Sequence, residues 1–196
     1  MSQFAIGADG TLAPLMPASV PAAPSALGVA IAPGGQSAYV LASCVDSARN
    51  GQVAEYGVGA DGSLAATGAA TLTGGHANPV AMVTDGSGVS AYVLVNVMGV
   101  DTNAGTVLQY SIDNTGALGA DTPSSLGISA GAVAEATYGP NLYALSSNAL
   151  GFASGGPRPG GHVDHNVIGA GGLLTLGGTA TVTDGYPTAL ALVPAH

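Results

Sequence analysis

The chain has 196 residues, 32 of them glycine, with 47% apolar and only 7% charged residues and a net charge of −9. Arg49 and Arg158 are the only basic residues besides the histidines, too few to neutralise phosphates, which excludes nucleic acid as a partner and argues equally against anionic membrane surfaces. The apolar content excludes disorder, and a Gly-, Val-, Thr- and Tyr-bearing, lysine-free chain points to strands and tight turns.

Met1-Ser2-Gln3 leads straight into patterned sequence, so no signal peptide is read. FAIGADGTL (4–12) predicts two strands joined by a Gly/Asp turn, together covering about 2–19. An apolar strand follows in LGVAIAPGG (27–35), then a second in SAYVLAS (37–43), then a longer loop carrying Asp46 and Arg49. A third strand runs into YGVGADGSL (56–64), whose leucine opens a fourth. The same order recurs as VAMVTDGSG (80–88), SAYVLVN (90–96), a loop with Asp101 and Asn103, and YSIDNTGAL (110–118). It recurs again as VAEATYGP (133–140), NLYALSS (141–147), the long loop GFASGGPRPGGH (151–162) with Arg158 and His162, and NVIGAGGLL (166–174). TALALVPA (188–195) repeats the first-strand phrase once more.

The hairpin glycines Gly10, Gly62, Gly116 and Gly172 are 52, 54 and 56 residues apart. Four strands per period of this length is the signature of a β-propeller blade. The expected fold is therefore all-β, a β-propeller with four-stranded antiparallel blades in one domain over 1–196. Complete blades are expected at about 25–72, 78–126 and 131–182. A further blade is split between 2–19 and a lone strand at 187–193 and lacks its Tyr-Val strand. The longest apolar run, Val89 to Val100, is too short and interrupted to span a bilayer.

Gly57-Val58-Gly59-Ala60-Asp61-Gly62 matches the G-x-G-x-x-G pattern of dinucleotide-binding loops. A phosphate cradle needs a strand before it and a helix after it, so that a helix N-terminus faces the anion. Here the motif joins two short strands and recurs elsewhere with broken glycine spacing, so it reads as a hairpin turn.

Tyr-Val-x-x-Asn (92–96), Val-x-Gln-Tyr-x-Ile (107–112) and Gly-Ala-Asp-Gly-x-Leu (59–64) resemble the lactonase-type, YVTN-repeat β-propeller family, which includes 6-phosphogluconolactonase-like enzymes and many surface proteins. The resemblance covers essentially the whole chain, at about half the family's usual length. It implies a propeller fold and, for activity, hydrolysis of a lactone. An incomplete arc exposes strand edges and blade faces. Three resolutions stand: two chains completing each other's split blade in one ring of about eight blades, a fragment of a longer protein, or head-to-tail pairing into a filament. Inter-chain completion, a homo-oligomer, is favoured because the chain starts and stops inside a blade.

Loops on one face of a rigid scaffold are where binding resides. In a propeller the first strand of each blade lines the channel, and the second-to-third-strand loops share a face with the blade-to-blade loops. That face is expected to carry Asp46, Arg49, His76, Asp101, Asn103, Arg158, His162 and Asp184. The opposite face carries the turn aspartates Asp9, Asp61, Asp85 and Asp113. The ligand expected there is a small molecule or carbohydrate.

Glu135 lies within a first strand, where its counterparts Thr84 and Ile31 are uncharged. A channel-lining carboxylate among apolar residues has a raised pKa and can act as acid or base, which makes Glu135, with His76, a weak catalytic candidate; a solvated, ordinary carboxylate is the alternative. Glu55 aligns with Gln3, Gln109 and His165, a position polar in every copy, and reads as structural. His162-Val163-Asp164-His165 does not converge three ligands on a strand, so no metal is expected there. Asp101-Thr102-Asn103-Ala104-Gly105 lacks the later acidic ligands of a calcium loop. Gly127-Ile128-Ser129-Ala130-Gly131 matches G-x-S-x-G but lacks a following helix. Cys44, the only cysteine, has no evident activating base, forms no intrachain disulfide and reads as a buried thiol.

No cofactor is implied. Two function classes follow: a non-enzymatic, self-associating binding or structural propeller outside the cytoplasm (extracellular, cell-surface or periplasmic), or a lactone hydrolase. A phosphorylated sugar lactone would need several cationic groups in one place, which the two arginines do not supply.

Overall fold

The computed structural model describes residues 1–43, 45–47, 49–74, 76–98, 103–148, 160–183 and 185–193. The fold is all-β. A hairpin of β1 (Ser2–Ile6) and β2 (Leu12–Ser19) precedes three four-stranded antiparallel meanders. The first blade is β3 (Ala26–Ile31), β4 (Ser37–Ala42), β5 (Gln52–Val58) and β6 (Leu64–Leu72). The second is β7 (Ala77–Thr84), β8 (Ser90–Met98), β9 (Asn103–Ile112) and β10 (Leu118–Ile128). The third is β11 (Ala132–Tyr138), β12 (Asn141–Ser147), β13 (Gly161–Ile168) and β14 (Leu174–Val182). In each blade, strands pair in chain order, the meander of a propeller blade.

The repeated glycine closes each hairpin between the third and fourth strands. Gly10, Gly62, Gly116 and Gly172 have φ near +81 to +85°. Their N–H groups donate to the carbonyls of Gly7, Gly59, Asp113 and Gly169 at 2.9–3.1 Å. This is a three-residue loop with its last residue in the left-handed region, which only glycine enters without strain. The G-x-G-x-x-G stretch is thus the β5–β6 turn, with Val58 paired to Leu64.

Blades pack face to face because their middle strands carry apolar residues on both faces. β4 is buried throughout. Tyr39, Leu41 and Val53 of the first blade meet Met82, Tyr110 and Leu118 of the second. Tyr92, Leu94 and Val107 of the second meet Leu174 and Ile168 of the third. Val20 and Met1 at the hairpin's ends meet Val40, Tyr56, Val58 and Leu64 of the first.

Residues 187–193 do not form the expected strand; they carry no ladder. In a blade the first strand pairs only with the second. The hairpin supplies the outer pair of the split blade, and among the described residues no second strand stands beside it. For the same reason β3 has one bare face: Leu27, Val29 and Ile31, alternate residues, are all more than half exposed.

Candidate functional site

Of the loops expected to form a ligand face, those of Arg49 and His76 adjoin at one end of the blades. Gly51, at the start of β5, is pressed so closely against Thr73, Ala77 and Pro79 that no Cβ would fit. The N–H of Thr73 donates to the Gly51 carbonyl at 2.9 Å, and the Thr73 hydroxyl donates to the Ala77 carbonyl at 2.6 Å. This packing puts the Asp46–Arg49 loop beside the loop that holds His76. Asp46 closes its own loop: its carboxylate accepts the N–H of Asn50 at 3.0 Å and the Asn50 side-chain amide at 2.7 Å. Arg49 and His76 both have positive φ, 55° and 60°, and both are exposed. His162 lies at the start of β13, and its N–H donates to the Ser146 hydroxyl at 3.2 Å. Asp101, Arg158, Asp184 and Cys44 lie outside the described residues, as does the side chain of Asn103.

Glu135 does not face the channel. Its ladder partner is Ala144, the position matched by Val40 and Val93 in the other blades, so its counterparts are Val29 and Met82 rather than Ile31 and Thr84. As Met82 faces the first blade, Glu135 faces the second, where Oε1 accepts the Leu94 N–H at 3.3 Å. Oε2 is buried without a partner. Burial holds this carboxyl well above the ordinary 4.5, outweighing the hydrogen bonds from Leu94 and Val83 that favour its charge.

The other polar strand residues hold blade to blade. Gln3 Oε1 accepts the Leu64 N–H at 2.5 Å, Glu55 Oε1 the Leu118 N–H at 3.4 Å, and Gln109 Oε1 the Leu174 N–H at 2.6 Å. Each side chain sits on a third strand and grips the leucine that opens the fourth strand of the next blade. The amide ends of Gln3 and Gln109 donate to the carbonyls of Pro17 and Pro123, at 2.9 and 3.2 Å. Glu55 has no such donor and instead accepts from the Thr71 hydroxyl at 3.3 Å.

Asp164 is likewise occupied. It accepts the Ser129 N–H at 2.8 Å, the Ser129 hydroxyl at 3.2 Å and the Thr179 hydroxyl at 2.6 Å. Ser129 of the G-x-S-x-G stretch therefore binds a carboxylate directly, with no imidazole between, in a strand-to-strand connection. His165 points away from Asp164: it stacks on Tyr143 at 5.1 Å, and its Nε2 lies 2.8 Å from Asn141 Oδ1. Among the described residues, no three His, Cys, Asp or Glu side chains come together as metal ligands.

On the opposite face a shallow cleft of about 350 Å³ lies between the first and second blades, lined in part by Gln36, Ser37, Gly88, Asp113 and Gly116. Asp9, Asp61 and Asp113 lie in the turns of this face. Hydrogen bonds from the hydroxyls of Thr11, Ser63 and Thr115, with nearby N–H groups, hold these carboxyls below the ordinary 3.8.

No protein-family model matches the chain, and neither does any curated protein sequence. Solved structures do resemble it. A Bacteroides uniformis protein provisionally named 6-phosphogluconolactonase has a TM-score of 0.67 at 18% identity, over 98% of this chain and 54% of that one. One of the same provisional name from Bacteroides fragilis has a TM-score of 0.63 at 21% identity, over 97% and 54%. A protein of unknown function from Desulfotomaculum acetoxidans has a TM-score of 0.60 at 19% identity, over 82% and 43%. The likeness is one of fold, that of a β-propeller. The chain spans about half the length of these structures. Among the described residues, no helix is long and apolar enough to cross a membrane.

Proposed function

We propose that the chain is a propeller module that acts by binding rather than by catalysis, outside the cytoplasm. One observation carries this reading. The strand positions that hold ionisable or amide groups, Gln3, Glu55, Gln109 and Asp164, engage their neighbours as structural links, while Arg49 and His76 project freely from adjoining loops at one end. A cation and an imidazole on rigidly packed loops suit a small polar ligand such as a carbohydrate. Titration of sugars and sugar acids against the wild-type chain and an Arg49→Ala/His76→Ala variant tests this. Binding lost in the variant supports the reading, and binding unaffected by it removes this face.

A second reading, hydrolysis of a neutral lactone, is favoured by the provisional names of the structural neighbours. It would use His76 as base, because Glu135 is buried between two blades, out of a substrate's reach. Turnover of neutral or phosphorylated sugar lactones by the wild type, lost in His76→Ala, would establish it against the first. Fold likeness alone does not carry an activity across.

A further inference from the structure

Each blade junction is built from the same two half-sets. The earlier blade offers a tyrosine, a leucine, a valine and a polar third-strand residue: Tyr39, Leu41, Val53 and Glu55, then Tyr92, Leu94, Val107 and Gln109. The later blade offers its hairpin turn and the apolar residues beside it: Ile112, Gly116 and Leu118, then Ile168, Gly172 and Leu174. The tyrosine hydroxyl donates to the turn glycine's carbonyl, Tyr39 to Gly116 at 2.9 Å and Tyr92 to Gly172 at 2.6 Å.

The two outermost surfaces carry the same half-sets with nothing between them. The third blade's outward face presents Tyr143, Val163 and His165, at the positions of Tyr92, Val107 and Gln109, all only partly buried; Leu145, at the position of Leu94, is already buried within the chain. The β1–β2 hairpin presents Phe4, Ile6 and Leu12 around Gly10. They align with Tyr56, Val58 and Leu64, which the first blade packs against the hairpin. Yet Phe4 is 51% exposed, Ile6 76% and Leu12 64%, whereas Tyr56 is 4% and Leu174, the third-blade counterpart of Leu12, is 5%. The other face of this hairpin is held on the first blade, and the exposure of Phe4, Ile6 and Leu12 shows that this set is not covered by the third blade of the same chain. Gly161 is pressed on Pro187 as Gly51 is on Pro79, so residues 187–193 begin along the course of a next blade's first strand. The outer part of that next position is left for a hairpin.

We propose that this face binds the β1–β2 hairpin of a second copy of the chain, head to tail. Tyr143 then donates to the Gly10 carbonyl of the second copy, and Phe4, Ile6 and Leu12 of that copy cover Val163 and His165. The occupant is a second copy because the missing half-set at one end is the half-set exposed at the other, and the two blade–blade junctions within the chain already show how the halves fit. The proposal is independent of whether the module binds a ligand or turns one over.

Native mass by ultracentrifugation across a concentration series tests it. The expected species is twice the 18.6 kDa chain mass. A ladder of larger species is the same contact left unclosed and also supports the proposal. Phe4→Asp/Ile6→Asp and Tyr143→Asp alter only exposed or partly exposed side chains, so each is expected to reduce the assembly while leaving the circular dichroism and unfolding midpoint of the chain unchanged. Mixing the two variants is expected to restore a two-chain species, because one intact junction survives between them. A monomer throughout the series would overturn the proposal and leave further blades of a longer chain as the occupant. Association that resists both variants, or that mixing fails to restore, would overturn it as well.

Discussion

The hydroxyl of Tyr92 donates to the carbonyl of Gly172 at 2.6 Å across a separation of 80 residues. Burial pushes this phenol up to about 12, so it stays protonated and a donor at any physiological pH. Tyr92→Phe leaves the carbonyl unpaired in a buried junction and is expected to cost about 1–2 kcal/mol, read from urea unfolding. Tyr39→Phe should cost somewhat less, because its bond to Gly116 is only partly buried. Tyr143→Phe, with no blade beyond it in the chain, should leave the unfolding of a dilute monomer unchanged. No cost at Tyr92 or Tyr39 would show that these tyrosines matter for packing and not for their hydroxyls.

Glycine at the hairpin turn serves two separate ends, which substitution can divide. Gly10→Ala meets open space, and its cost is that of a side chain at a φ of +81°, about 1 kcal/mol. Gly116→Ala carries the same backbone cost, and its new methyl also collides with the Ser37 side chain. Gly116→Ala is therefore expected to destabilise by at least about 1 kcal/mol more than Gly10→Ala, measured by thermal unfolding of the two variants side by side.

Gln109 grips both sides of a junction, so its loss strands a donor and an acceptor together. Gln109→Leu removes the partner of the buried Leu174 N–H and of the Pro123 carbonyl. About 2–3 kcal/mol of destabilisation is expected in denaturant unfolding. A near-neutral result would mean that water enters the junction and replaces the amide.

The strand order and the hairpins were legible because their causes are local: alternation of apolar residues, and glycines whose φ a turn demands. Gln3, Glu55 and Gln109 were legible as a repeated polar position, but not their partners, since Leu64, Leu118 and Leu174 stand some sixty residues further on and only blade stacking brings them near. Glu135 was conspicuous as a carboxylate in an apolar strand, but matching it to Thr84 and Ile31 misjudged its direction. The repeats VAMVT (80–84) and VAEAT (133–137) match it to Met82, and because each first strand carries the same early register shift, the two side chains keep the same direction. The apolar run at 187–193 has the composition of a strand, but a strand also needs a neighbour, and composition does not supply one. The candidate ligand loops were placed on one end by topology alone. What they hold is set by side-chain convergence, which repeat spacing does not encode.

The buried Glu135 carboxyl gives the clearest pH dependence. Its folded pKa lies well above the ordinary 4.5, because ionisation would put a charge between two blades. At pH values between those two limits the folded chain holds a proton that the unfolded chain has released, so stability falls as pH rises through that window. Below 4.5 both states are protonated and the penalty vanishes. The turn carboxylates act in the opposite sense and at lower pH, since Asp9, Asp61 and Asp113 are lowered from 3.8 and favour the folded state more as pH rises through that range. Glu135→Gln keeps the size and an acceptor for the Leu94 N–H but cannot ionise. The urea midpoint of the variant is therefore expected to stay flat from pH 5 upward where the wild type declines, with the two curves meeting near pH 4. Parallel curves would mean that the wild-type carboxyl titrates normally, in contact with solvent, and would return Glu135 to the channel.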